Sequence, residues 1–295
     1  MLQTYLRDRK ELVDKALDRL IPAENNDPAE IFNAMRYSLF AGGKRLRPIL
    51  CIAAAEAVGG SPDLVMPIAC ALECIHTYSL IHDDLPAMDD DDFRRGKPTN
   101  HKVFGEATAI LAGDALLTEA FSILAGAARM DGMDASRLIQ AMAEIARAAG
   151  VWGMVGGQVM DIRAEGKAVD TDFLYGIHER KTGAMIRVSV RSGALLAGGN
   201  EEQITALTDY GRRIGLAFQI ADDLLNVTGD SALMGKNTGS DTSRGKATFP
   251  ALLGMEASRS KLASLVQEAT ASLAHFDEKA APLRRIAEYI MEREY

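Results

Sequence analysis

Between Leu72 and Asp92 the chain reads LECIHTYSLIHDDLPAMDDDD. Its first half is apolar and compatible with a helix, so His76, Ser79, Leu80 and Asp83 fall at i, i+3, i+4 and i+7 on one face. Asp83 thus opens toward whatever that face lines, while Asp84 lies about 100 degrees round the axis. A second ligand for a cation on Asp83 would ordinarily stand four residues on, but that position is Ala87. Pro86 interrupts the helix by removing a backbone donor and clashing with the preceding turn, and a bulge there would return Asp89 to Asp83. Carboxylates this dense repel one another unless a cation holds them. Magnesium suits them, since it binds through one or two carboxylates plus substrate phosphates.

A second acid cluster lies far along the chain, in FQIADDLLN from Phe218 to Asn226. Gln219, Asp222, Asp223 and Asn226 occupy two turns, and Asp222 and Asn226 stand in the i, i+4 relation that lets two oxygens meet one cation. Bases accompany both clusters. Arg94 and Arg95 follow the first, and adjacent guanidiniums point to different sides, where each could fork onto its own phosphate. Lys236 and Lys246 follow the second and suit either ion pairing with it or a phosphate. One acid run is most simply a solvated face. Two runs in apolar settings, each beside bases, point to a metal-bridged polyphosphate site.

The rest of the chain fits a helical enzyme. It has 295 residues, is 47% hydrophobic and carries a net charge of -8, so it offers no domain-scale basic field for nucleic acid. Cys51, Cys70 and Cys74 form no CxxC pair and read as buried, inert thiols. The opening MLQTYLRDRKELVDKALDRL is charged and amphipathic; no apolar signal core and no transmembrane stretch are expected, which suits a soluble, cytoplasmic compartment. Ala, Leu, Met, Glu and Arg dominate, with apolar residues recurring at three and four spacing, so the expected fold is an all-α, single-domain helical bundle over residues 1–295. One expected helix runs from Thr171 to Ala197 without a break. Short turn-like links such as GGSPD at Gly59 suit antiparallel helices. One segment, Gly229 to Pro250, is rich in Gly, Ser, Thr and Lys and has the composition of a flap.

Five separated motifs, GGKRLRP (Gly42 to Pro48), the Glu73 to His101 stretch, GGQVMD (Gly156 to Asp161), KTG (Lys181 to Gly183) and FQIADDLLN, together resemble the trans-isoprenyl diphosphate synthases, most of all bacterial-type farnesyl diphosphate synthases. The resemblance implies the isoprenoid synthase bundle with a central substrate cavity, a homodimer, and isopentenyl and allylic diphosphates as substrates. It puts Mg2+ on Asp83, Asp89 and Asp222, and the allylic diphosphate among Arg94, Lys181, Lys236 and Lys246. Isopentenyl diphosphate falls to Lys44, Arg47, His76 and Arg95, although His76 reads equally as a packed helix residue. Thr182 and Gln219 would stabilise positive charge near the reacting carbons, with Gln158 and Asp161 in support. Tyr78 and Ser79, a turn or so below Asp83, would set product length, and Tyr78 suits a fifteen-carbon product.

The second motif ends in Asn226 where the commoner family pattern has Asp, leaving one less negative charge at that end. Three other functions are open to a chain of this kind. A class I terpene cyclase needs no isopentenyl site, so Lys44, Arg47 and Arg95 speak against it. A silent partner subunit is expected to lack one acid cluster, and both are present. A twenty-carbon, geranylgeranyl diphosphate synthase would use the same chemistry throughout.

Overall fold

The computed structural model describes residues 2–21, 27–228 and 246–292. Helices dominate: α1 (Leu2–Leu20), α2 (Ala29–Leu39), α3 (Leu46–Ala57), α4 (Pro62–Asp83), α5 (Asn100–Phe104), α6 (Glu106–Gly126), α7 (Ala135–Ala149), α8 (Met154–Ala164), α9 (Thr171–His178), α10 (Ala184–Leu196), α11 (Glu201–Thr228), α12 (Phe249–Leu253), α13 (Met255–Ser272) and α14 (Ala281–Glu292). A two-strand hairpin, β1 (Phe93–Arg94) with β2 (Lys97–Pro98), pairs antiparallel after the first acid cluster.

Helix α4 is the axis of the site. It starts on Ser61, whose side chain accepts the Asp63 N–H at 3.2 Å, with Pro62 in the first turn where no backbone donor is needed. From Val65 to Ile81 it is buried on most sides, against α6, α3 and α10. One apolar cluster surrounds α4, α6 and α7, a second surrounds α11, α13 and α14, and α3 and α10 contribute side chains to both. Cys51, Cys70 and Cys74 are all buried in the first cluster and unpaired by disulfides, and burial pushes each thiol up, so they are packing groups.

Three expectations change. The helix expected from Thr171 runs on without a gap to Leu196 but is not α-helical throughout: between α9 and α10 the residues Glu179–Gly183 form a π-helical turn, a wider ring that displaces the side chains it carries. The stretch after the first acid cluster supplies the hairpin and the short helix α5, both too brief to leave a periodic signal. By length and composition, α4 and Glu106–Arg129 are apolar enough to cross a membrane, with mean hydropathy 1.6 and 1.5, contrary to the expectation that no such stretch exists. In the fold, 67% of the apolar window of α4 is buried among other helices, and a helix packed on all sides needs the same composition as one in lipid. Residues 229–245, including Lys236 and most of the expected flap, lie outside the described residues.

Candidate active site

At the end of α4 the backbone turns back on itself. The Met88 N–H bonds the Leu85 carbonyl at 2.9 Å and the Asp89 N–H bonds the Asp83 carbonyl at 2.8 Å. Asp90 takes a left-handed φ of 50° as the chain leaves. The bulge expected from Pro86 therefore exists, and it brings Asp89 back beside Asp83. Burial above all pushes the Asp83 carboxyl up; Lys181 pulls it the other way and Asp89 adds to the rise. Lys246 donates to Asp89 Oδ1 at 3.3 Å, so the acid pair already gathers amines.

Asp84, one residue round the helix, is buried and serves a different purpose. Arg94 Nε donates to both of its oxygens at 2.7 and 2.8 Å, and Asp91 stands 3.7 Å from the same guanidinium. Arg94 lines the cavity but is forked onto a carboxylate, where the sequence suggested a phosphate. The hairpin sets this up, because Thr99 anchors its base through its N–H to the Asp92 carbonyl and its hydroxyl to the Asp91 carbonyl. Arg95, left-handed at φ 54°, then reaches across to donate to the Gly42 carbonyl. Glycine suits position 43, whose φ of 119° side-chain-bearing residues rarely adopt, and a Cβ there would also push aside Arg95 Nη1, 2.6 Å away.

Arg45 organises the GGKRLRP loop from inside. It is 2% exposed, donates to Asp14 Oδ1 and Glu73 Oε1 at 2.8 Å each and to the Leu39 carbonyl at 2.6 Å, and has φ 52°. With Arg45 turned inward, its neighbour Lys44 is exposed and stands outside the cavity lining, unlike the isopentenyl ligand expected there. Arg47, His76 and Arg95 do line the cavity. Among the described residues Arg47 Nε is enclosed without a partner, and burial lowers its guanidinium to about 10, with Glu73 opposing and Arg95 adding to the fall. Burial, then Arg47 and Arg95, holds His76 well below the usual histidine range. Three basic side chains that disfavour one another's charge form a ready seat for an anion.

The π-turn faces this wall. Lys181 donates to Asp161 Oδ2 on α8 at 2.6 Å, and Thr182 Oγ1 donates to Gln219 Oε1 on α11 at 3.0 Å. Gly157 lets α8 approach, because a Cβ there would come within 2.3 Å of the Lys181 backbone nitrogen. Burial would push the Lys181 ammonium down, but Asp161, then Asp83, outweigh it and hold it above its ordinary value. On α11, Asp222 and Asn226 line the cavity, as their spacing suggested. Asp223 lines it too and is held by the protein: it accepts from Gln219 Nε2 at 2.9 Å and from the Phe249 N–H at 3.0 Å, with His178 Nε2 3.6 Å away. His178 was not singled out in the sequence. It is stacked on Phe249 at 5.2 Å, and burial lowers it to about 4. A lone histidine on a helix gives no periodic signal, and Asp84 and Asp223 were masked by standing next to the better placed acids.

These groups share one cavity of about 800 Å³, within the range of small-molecule sites. The carboxylates of Asp83, Asp89 and Asp222 and the bases Lys181, Lys246, Arg47, Arg94 and Arg95 all line it. Tyr78, Ile110, Met154 and Val155 supply apolar lining, with Tyr78 only 7% exposed and set edge-on to His82 at 5.7 Å. Ser79 also lines it, its hydroxyl donated back to the His76 carbonyl. Asp83, Asp89 and Asp222 bring hard oxygen donors to one cavity, and among the described residues no three acid, histidine or cysteine side chains converge into a closed cage. That donor set fits magnesium completed by substrate oxygens.

The sequence pattern of the family described as Polyprenyl synthetase matches residues 28–283. The chain is 50% identical over 295 residues to the heterodimeric geranylgeranyl pyrophosphate synthase large subunit 1, chloroplastic, of Arabidopsis thaliana, covering 99% of this chain and 79% of that one. It is 46% identical over 296 residues to the farnesyl diphosphate synthase of Geobacillus stearothermophilus, covering 100% and 98%. The crystal structure of an FPP/GFPP synthase from Zymomonas mobilis superposes with a TM-score of 0.88 at 39% identity, covering 98% of each chain. The all-α bundle is thus the prenyltransferase fold, and the chain belongs to the polyprenyl synthetase family, the trans-isoprenyl diphosphate synthases, whose members elongate prenyl chains from isopentenyl and allylic diphosphates.

Proposed function

We propose that this prenyltransferase, as a cytoplasmic homodimer of single-domain subunits, condenses isopentenyl diphosphate head to tail with dimethylallyl or geranyl diphosphate and releases farnesyl diphosphate. Lys181, Lys246 and Arg94 hold the allylic diphosphate, and Arg47, His76 and Arg95 hold isopentenyl diphosphate. Asp83, Asp89 and Asp222 would hold Mg2+, which when bound would supply Lewis acidity at the leaving diphosphate. The allylic carbon–oxygen bond breaks, the isopentenyl double bond forms the new carbon–carbon bond to the allylic carbon, and a proton leaves to restore a double bond. Lys181 steadies the departing charge because Asp161 keeps it protonated despite its burial. The oxygens of Thr182 and Gln219 face the developing allylic charge without being alkylated as readily as a carboxylate.

The observation that carries this reading is the shared cavity itself, lined together by the acids, the bases and the Tyr78–His82 pair. A diphosphate held at the acids runs its tail along α4 toward Tyr78, five residues before Asp83 and roughly 7.5 Å deeper. A second reading, geranylgeranyl diphosphate synthase, is favoured by relatives such as the Arabidopsis large subunit. Chain-length analysis of the product separates the two: fifteen carbons supports the first reading, and accumulation of twenty replaces it with the second.

A further inference from the structure

Asp223 lines the cavity beside Asp222 and Asn226 yet is only 3% exposed. Its two oxygens have different employment: Oδ1 accepts the Gln219 amide Nε2 at 2.9 Å, and Oδ2 accepts the Phe249 backbone N–H at 3.0 Å. An ionised carboxylate can only accept. Gln219 must therefore present its NH2 group to Asp223, which leaves Oε1 to meet the Thr182 hydroxyl at 3.0 Å. The two ends of a glutamine amide are nearly equal in shape, and only hydrogen bonding decides which way it points.

We propose that Asp223 is a positioning residue for prenyl transfer: by holding the Gln219 nitrogen it commits the Gln219 oxygen, beside that of Thr182, to the side of the cavity where positive charge grows on the allylic carbons. The inference rests on the proposed prenyl transfer. Reversing the amide would aim the positive end of its dipole at that charge, so the polarity of this one contact bears on the transition state and hardly on substrate binding. The same carboxylate fastens Phe249, three residues after Lys246, to α11, so both sides of the site are set from one buried group.

Asp223→Asn tests it at constant shape. The Phe249 N–H still requires an acceptor, so the Asn oxygen stays there and its NH2 turns to Gln219, which must then offer its oxygen away from Thr182. The expected result is a fall in kcat of about a hundredfold, the scale of one misdirected preorganised dipole, with KM for both diphosphates changed less than about threefold. Gln219→Leu, which leaves the Phe249 bond intact, serves if the first variant melts early: it loses a comparable factor, and adding Asp223→Asn loses little more. Asp223→Asn with kcat within about twofold of wild type, or a further loss of about tenfold or more on adding Asp223→Asn to Gln219→Leu, overturns the proposal. A wild-type protein that does not elongate prenyl diphosphates at all overturns the function beneath it instead.

Discussion

The backbone N–H of Asp89 bonds the carbonyl of Asp83 at 2.8 Å, so two acids six residues apart share the end of one helix. That contact turns a linear acid run into a paired ligand set facing Asp222 and Asn226 in the same cavity. Asp83→Ala or Asp222→Ala should therefore cut turnover by at least about a hundredfold while circular dichroism stays wild type, because the lost charge stabilisation is needed only as the diphosphate departs. Near-normal rates in saturating magnesium would remove these residues from the metal site. Asn226→Asp, which adds a charge, should keep activity and lower the magnesium concentration needed for half-maximal rate.

Arg47 and Lys181 lie on opposite sides of the substrate assignment. Arg47→Met should raise KM for isopentenyl diphosphate by about tenfold or more and leave the allylic KM nearly unchanged, whereas Lys181→Ala should lower kcat or raise the allylic KM. Equal effects of both changes on both substrates would describe one undivided phosphate patch. Since Arg47 is held at about 10 by burial and by Arg95, Arg47→Met should also raise Tm of the ligand-free protein by about 2 °C or more. Pyrophosphate should then stabilise the wild type more than the variant.

His178 provides a pH signature. Burial lowers it from 6.5 to about 4, so the folded state prefers the neutral ring. Below the unfolded value the unfolded chain binds a proton that the folded one refuses, so this contribution is complete above about pH 6.5 and is lost as pH falls toward about 4. Its full size is on the order of 3 kcal/mol. Chemical denaturation between pH 7 and pH 4 should show a flatter loss of stability in His178→Gln than in wild type; identical slopes would mean the ring titrates normally.

Tyr78 sets product length in this account. Tyr78→Ala should lengthen products to twenty carbons or more, and Ser79→Phe, nearer the metal end by one residue, should favour ten. An unchanged distribution in Tyr78→Ala would place the floor elsewhere, for instance on the α6 side where Ile110 lines the same cavity.

Much of this was legible in the chain before folding. The α4 face and the Pro86 interruption announced the Asp83–Asp89 pairing, because a three-four spacing and a missing donor act locally. The second cluster was equally plain for Asp222 and Asn226. What stayed hidden depends on nonlocal closure. Nothing between Thr171 and Ala197 signals the π-turn, which exists because α8 and α11 close on Lys181 and Thr182, with Gly157 clearing the way. Lys44 belongs to a basic motif, yet the buried Arg45 between Asp14 and Glu73 leaves it exposed outside the cavity. The Asp84 carboxylate that fixes the Arg94 guanidinium at the cavity wall was hidden too, because that contact forms only when the hairpin folds back on α4.

The central claim, condensation at this cavity, is tested most directly by incubating the purified protein with isopentenyl diphosphate, dimethylallyl or geranyl diphosphate and magnesium, then resolving products by mass spectrometry with a chelator control. The account predicts farnesyl diphosphate growing with time and pyrophosphate released one per five-carbon addition, both abolished by the chelator. Allylic and isopentenyl diphosphates recovered intact in the presence of magnesium would contradict it.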